Sequence, residues 1–180
     1  KNIAIKVKKG ALGNYKSRSK DLYKLFYKEI GHVNIDIIDN DISHCTISSI
    51  RVCAGAEQVQ ICRNHVHDST RHGIIVDNGG KGTLEDNKIY ANAIAGLYVA
   101  KGGDPTARNN DVYECAVGVC VCEQGRGRLE NNQIHDHSQN GVEVVSGGNP
   151  FLIGNVIQSN AAAGIFVHSC GMGVIDGNDV

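Results

Sequence analysis

The chain has 180 residues, enough for one domain, with a net charge of −1, 22 Gly, 2 Pro, no Trp and only 5% aromatic residues. So few rings exclude a core built around large aromatic side chains. No apolar run reaches the roughly 20 residues of a membrane-spanning helix, and no secretory leader pattern is visible.

Residues 1–30 carry a charge of +7, from eight Lys and one Arg against two acids, whereas residues 31–180 carry −8. Ile3, Ile5 and Val7 alternate with polar neighbours and predict a strand. From Ser19, an N-capping residue, the spacing of Leu22, Leu25 and Phe26 predicts a short helix. A solenoid needs a cap over its first coil, and residues 1–30 are expected to supply it. Binding of nucleic acid or anionic lipid by this basic segment is the less favoured reading, because lysine runs usually just solvate a face.

From residue 31 the sequence repeats. Asn recurs at Asn40, Asn64, Asn87, Asn110, Asn132, Asn155 and Asn178, at spacings of 24, 23, 23, 22, 23 and 23 residues. Gly recurs at Gly73, Gly96, Gly118, Gly141 and Gly164, with Ser49 in the earlier equivalent place. A period this strict marks a solenoid. Leucine-rich repeats share the period but carry more leucine and a helical segment. Here each unit reads as two or three short strands joined by bends, so the expected fold is all-β, a right-handed parallel β-helix over 31–180 with about seven coils. At about 4.8 Å per coil the rod is roughly 34 Å long. The chain ends at "GNDV", within a coil, which suggests a longer parent protein. Asn and Gly are expected at bends because they tolerate left-handed backbone, and stacked Asn side chains to form an amide ladder. A sevenfold recurrence suits architecture better than a ligand site.

In a β-helix the side chains stack in columns. After each repeat Gly, the first and third residues are apolar and point inward: Ile74 and Val76, Leu97 and Val99, Val119 and Val121, Val142 and Val144, Ile165 and Val167. The residue between them points outward, giving Arg51, Ile75, Tyr98, Cys120, Glu143 and Phe166. Ile75, Tyr98, Cys120, Glu143 and Phe166 make a stripe too apolar for free solvent, so either a further chain segment or a protein partner is expected to cover it. A second outward column holds Ile38, Cys62, Glu85, Arg108, Glu130, Ile153 and Asp176; its alternating charges, and Lys88 beside Asp111, read as structural ion pairs. Three residues past the Asn stand His67, Tyr90, Tyr113, His135 and Gln158. His67–Asp68 and His135–Asp136 resemble catalytic dyads, but recurrence within a column favours a stacked ring ladder.

The seven cysteines, 45, 53, 62, 115, 120, 122 and 170, show no paired spacing of a secreted disulfide framework and no zinc-site spacing. Free thiols in a reducing compartment, cytoplasmic or nuclear, are expected, with no cofactor. "HDH" at 135–137 lacks further ligands at suitable spacing, so no metal site is assigned. Many β-helix proteins are polysaccharide lyases, hydrolases or epimerases, whose acid and base must flank one bond. Glu123, Glu143 and His168 are the candidates for such chemistry, and stacked aromatic sugar platforms are missing from the sequence pattern.

The coils alternate in style. "GKGTLEDNKI" (80–89), "GRGRLENNQI" (125–134) and "GMGVIDGNDV" (171–180) are of one kind; "GDPTARNNDV" (103–112) and "GNPFLIGNVI" (148–157) are of the other. Over roughly 55–180 this closely resembles the β-helical domain, called CASH or parallel β-helix repeat, of a family of F-box proteins; similar coils occur in SHC-binding and protist β-helix proteins. The resemblance implies a non-catalytic substrate-recognition module of a ubiquitin ligase, although no Leu-rich F-box segment stands in 1–30. Three functions are therefore carried forward: a protein-binding β-helix, a carbohydrate-active β-helix enzyme, and a structural scaffold.

Overall fold

The computed structural model describes residues 35–180 except 55 and 57, together with two short strands, Ile3–Ala4 and Lys16–Ser17, which pair antiparallel. The expected helix after Ser19 lies outside the described residues. From Ile35 onward each coil contributes three short strands, and each strand stacks in parallel on its counterpart one coil away. Sheet one has seven strands, from Ile35–Ile38 to Val174–Asp176. Sheet two has six, from Asp41–Ser43 to Val156–Gln158, and sheet three has six, from Ser48–Val52 to Ile165–Val167. The winding is right-handed, the hand that strand twist imposes on parallel crossovers. It makes about six turns rather than seven, because the strand before Asn178 belongs to sheet one and none of sheets two or three follows it.

Alternation along each strand sends one set of side chains into a narrow interior. Ile74, Val76, Leu97, Val99, Val119, Val121, Val142 and Val144 are all buried, and sheet two adds Ile42, Val66, Ile89, Val112, Ile134 and Ile157. Each buried Val or Ile contributes about 1.5–3 kcal/mol relative to an exposed one. In the last coil Ile165 is only partly buried and Val167 is exposed.

The Asn row lies between sheets one and two and is the expected ladder. Each amide Nδ2 donates to the Oδ1 of the Asn one coil on, at 2.8–3.0 Å, from Asn40 through to Asn178. The same Oδ1 accepts the backbone N–H of the preceding Asn, as in Asn87 to Asn110 at 3.0 Å. The second Nδ2 hydrogen reaches a carbonyl of the coil before, as from Asn110 to Leu84 at 2.9 Å. An Asn amide has two donors and two acceptor sites, so each interior member is saturated.

The expected reason for Asn at this bend needs correcting. The left-handed residue is the one before it: Asp39, Arg63, Asp86, Asn109, Asn131, Gly154 and Gly177 have φ of 53–63°. The ladder Asn is there for its side chain. The repeat Gly is not left-handed either; it is there for space. A Cβ on Gly118 would meet the Gly141 carbonyl and the His137 ring at 2.5 Å.

Candidate functional site

A second bend row, five residues past each ladder Asn, was not singled out from the sequence: Cys45, Ser69, Asn92, Cys115, His137 and Asn160. It also accepts backbone N–H groups from the coil before: Ser69 N–H to Asn92 Oδ1 at 3.1 Å, Cys115 N–H to His137 Nδ1 at 3.1 Å and His137 N–H to Asn160 Oδ1 at 3.2 Å. His137 Nε2 lies 3.1 Å from the Val112 carbonyl, so both ring nitrogens of this buried histidine are engaged and "HDH" is a structural motif. Burial pulls the His137 pKa down to about 4.

The outer face of sheet two carries the expected ring ladder. His67, Tyr90, Tyr113 and His135 stack with centroids 4.7, 4.9 and 5.4 Å apart and planes within 8°. Carboxylates hold both terminal histidines: His67 by Asp68 at 2.7 Å and Asp41 at 2.8 Å, His135 by Asp136 at 2.7 Å and Asp111 at 2.9 Å. Burial opposes their charging, but these carboxylates outweigh it and raise both pKa values. The stack covers its own ring faces and offers a sugar mainly edges.

On sheet one, Arg108 pairs with Glu85 at 2.9 Å, but Glu130 takes Arg128 of its own strand at 2.6 Å. The alternating charge column is thus only half realised as drawn from the sequence. Asp111 stands in register beside Lys88 as expected, but its carboxylate holds His135.

Sheet three holds the stripe. Arg51, Ile75, Tyr98, Cys120, Glu143 and Phe166 are register partners from coil to coil. Ile75 is buried, against expectation, Tyr98 and Cys120 are half-buried, and Phe166 is 43% exposed. Beside the stripe runs a second outward column: Cys53, Asp77, Ala100, Cys122, Val145 and His168. The two columns are joined diagonally. Arg51 Nε donates to Asp77 at 3.1 Å, Tyr98 Oη lies 3.1 Å from Cys122 Sγ, and Glu143 Oε1 lies 3.0 Å from His168 Nε2. Each pair links the stripe of one coil to the neighbouring column of the next. The remaining two diagonals bring Ile75 toward Ala100 and Cys120 toward Val145.

Among the catalytic candidates, Glu143 and His168 meet, and Phe166 stacks on His168 with centroids 4.4 Å apart. Glu123 does not join them: it is exposed in the following bend, with Lys101 at 3.9 Å. Asp77, the other carboxylate of the strip, sits three coils from Glu143, about 14 Å along the rod. An acid and base acting on one glycosidic bond need roughly 5–10 Å. Around Tyr98, burial and the Cys122 contact push the phenol pKa up, and buried His72 tilts against the ring at 4.6 Å. The Cys122 thiol is pulled down to about 7 by a hydrogen bond from Cys120, against burial, with Tyr98 adding to the effect; Cys120 is raised by the same contact.

Two solved structures share the fold, both A-modules of mannuronan C-5 epimerases of Azotobacter vinelandii. AlgE6 matches with a TM-score of 0.67 and 20% identity over 74% of this chain and 38% of its own length. AlgE4 matches with a TM-score of 0.56 and 15% identity over 79% of this chain and 57% of its own. The chain thus spans from about two-fifths to somewhat over half of those proteins. The model of the right-handed β-helix region matches residues 48–180, and the protein belongs to that family.

Proposed function

We propose that this is a non-catalytic protein-binding β-helix whose docking surface is the sheet-three stripe Ile75, Tyr98, Cys120, Glu143 and Phe166. The observation that carries the reading is the diagonal pairing. It satisfies the polar groups of the strip within the protein and leaves a flat, pre-ordered surface ending in exposed Phe166. Rigid aromatic anchors on such a surface carry interface energy at little ordering cost. The alternating coil styles support the finer reading, substrate recognition for an F-box-type ubiquitin ligase. Seven free thiols fit a cytoplasmic or nuclear location.

A carbohydrate-active reading is the alternative. The Glu143–His168 contact is a base-competent dyad on an open strand face, and the two epimerase modules, which act on mannuronan, share the fold. The experiment separates the two. A partner captured from extract is purified, and its affinity is measured against wild type and Phe166→Ala. A loss of at least tenfold in Phe166→Ala, with an unchanged urea midpoint, is expected. Turnover of mannuronan by the wild type, abolished in folded Glu143→Ala, would replace binding with catalysis.

A further inference from the structure

Cys120 and Cys122 differ from the other cysteines in two respects. They lie on the same side of one strand end, two residues apart, and Tyr98 Oη from the previous coil sits 3.1 Å from Cys122 Sγ. Cys115, five and seven residues earlier in the same coil, shows the contrast. Its Sγ rests 3.4 Å from the Tyr113 carbonyl and burial lifts its pKa to about 11, so it stays a neutral thiol. Successive same-face residues of an extended strand lie about 6.6 Å apart at Cα, the upper end of what a disulfide spans. The Cys122 N–H still donates to the Val99 carbonyl at 2.9 Å, so the backbone is extended between the two cysteines and the closed disulfide sits at the wide end of that range.

We propose that Cys120 and Cys122 form an oxidisable dithiol that hydrogen peroxide closes to an intrastrand disulfide, with Tyr98 as the positioning residue for the Cys122 sulfur. This site does not depend on what the strip binds. The Cys122 thiolate attacks one peroxide oxygen, the O–O bond breaks, and the departing hydroxide takes up a proton and leaves as water. The resulting sulfenic acid stands beside the Cys120 thiol. The Cys120 sulfur displaces the second oxygen as water, after protonation, and the S–S bond forms. Two thiols and one hydrogen peroxide thus give one disulfide and two waters. The neutral Cys122 thiol donates to Tyr98 Oη; once it is ionised, the Tyr98 hydroxyl and the Cys120 thiol turn their hydrogens to its sulfur and favour the reactive thiolate near neutral pH. Cys122 is 7% exposed and Cys120 half-buried, so the pair is open to a small oxidant such as peroxide and closed to a bulky one.

The test is limited hydrogen peroxide on the folded protein, then alkylation of remaining thiols and fragment mass spectrometry, which separates Cys115, Cys120 and Cys122 within one peptide. The expected product lacks two hydrogens, and the bond maps to Cys120–Cys122. Its rate should rise with a midpoint near pH 7. In Cys120→Ser the reaction should stop at a Cys122 sulfenic acid that dimedone traps, and in Cys122→Ser no disulfide should form. Tyr98→Phe keeps the ring and removes the hydroxyl, and should slow closure at pH 6 about tenfold, the effect of about one pKa unit. Circular dichroism of each variant checks that it folds. Oxidation of Cys115 before Cys122, a bond to Cys115, no bond at all in wild type, or an unchanged rate in folded Tyr98→Phe would overturn the proposal.

Discussion

The two bend rows of each coil receive backbone N–H groups from the coil before, yet they are built differently. The Asn40–Asn178 row uses one residue type throughout, and each amide is bonded to the next without a gap. The row from Cys45 to Asn160 mixes thiol, hydroxyl, amide and imidazole; Asn92, His137 and Asn160 accept a backbone N–H there, and its side chains do not form a continuous chain. At the first bend an amide is needed because a carbonyl from the coil before and an N–H must be satisfied together beside a neighbour that needs the same. At the second bend Asn92 and His137 also both accept an N–H and reach a carbonyl of the coil before, Val66 and Val112, each at 3.1 Å, but the row carries no unbroken side-chain chain, so amide and imidazole serve alike.

The largest expected effect breaks the uniform row. Asn110→Leu leaves the Asn87 N–H and the Leu84 carbonyl buried without their partner, and should lower stability in urea by about 4 kcal/mol. An unchanged midpoint would show that the row has no structural role.

The next effect belongs to the mixed row and depends on pH. His137 has its pKa lowered on folding, to about 4, whereas an unfolded His titrates near 6.5. The unfolded chain therefore binds the proton first. The stability that neutral His137 contributes is complete above about pH 6.5 and is lost as the pH falls toward 4, by about 3 kcal/mol. His137→Asn, which restores the residue type of Asn92 and Asn160, should flatten this acid limb of a stability–pH curve. An equally steep limb in that variant would move the acid sensitivity elsewhere.

The smallest effect repairs the mixed row. Cys115→Asn would give the Asn92 N–H an amide acceptor in place of a thiol, and should raise stability by about 1 kcal/mol. A loss of stability would show that the second bend is shaped for sulfur.

The sequence disclosed whatever repeats within one column. The inward positions, the Asn ladder, the ring ladder and the stripe all stand at a constant offset from the Asn or Gly, and their places follow from the period. The left-handed residue was misassigned by one place, since Asp39, Arg63, Asn109 and Gly154 share position but not type. The mixed bend row escaped because side-chain identity, the only visible signal, varies while the backbone demand stays constant. The diagonal contacts escaped because Arg51–Asp77, Tyr98–Cys122 and Glu143–His168 cross between columns and keep no residue type from one pair to the next. Reading pairs at offsets of 24 to 26 residues would have found all three.

The Asn ladder also has a mechanical consequence. Its amide bonds, like the sheet bonds on either side, run from coil to coil along the length of the rod. Stretching the rod end to end therefore strains one coil boundary at a time, as a zipper is opened, instead of sliding many bonds past one another at once. Each boundary carries an added amide link at the first bend, so successive boundaries should give way at similar force. Extension should proceed in steps of one coil's worth of chain.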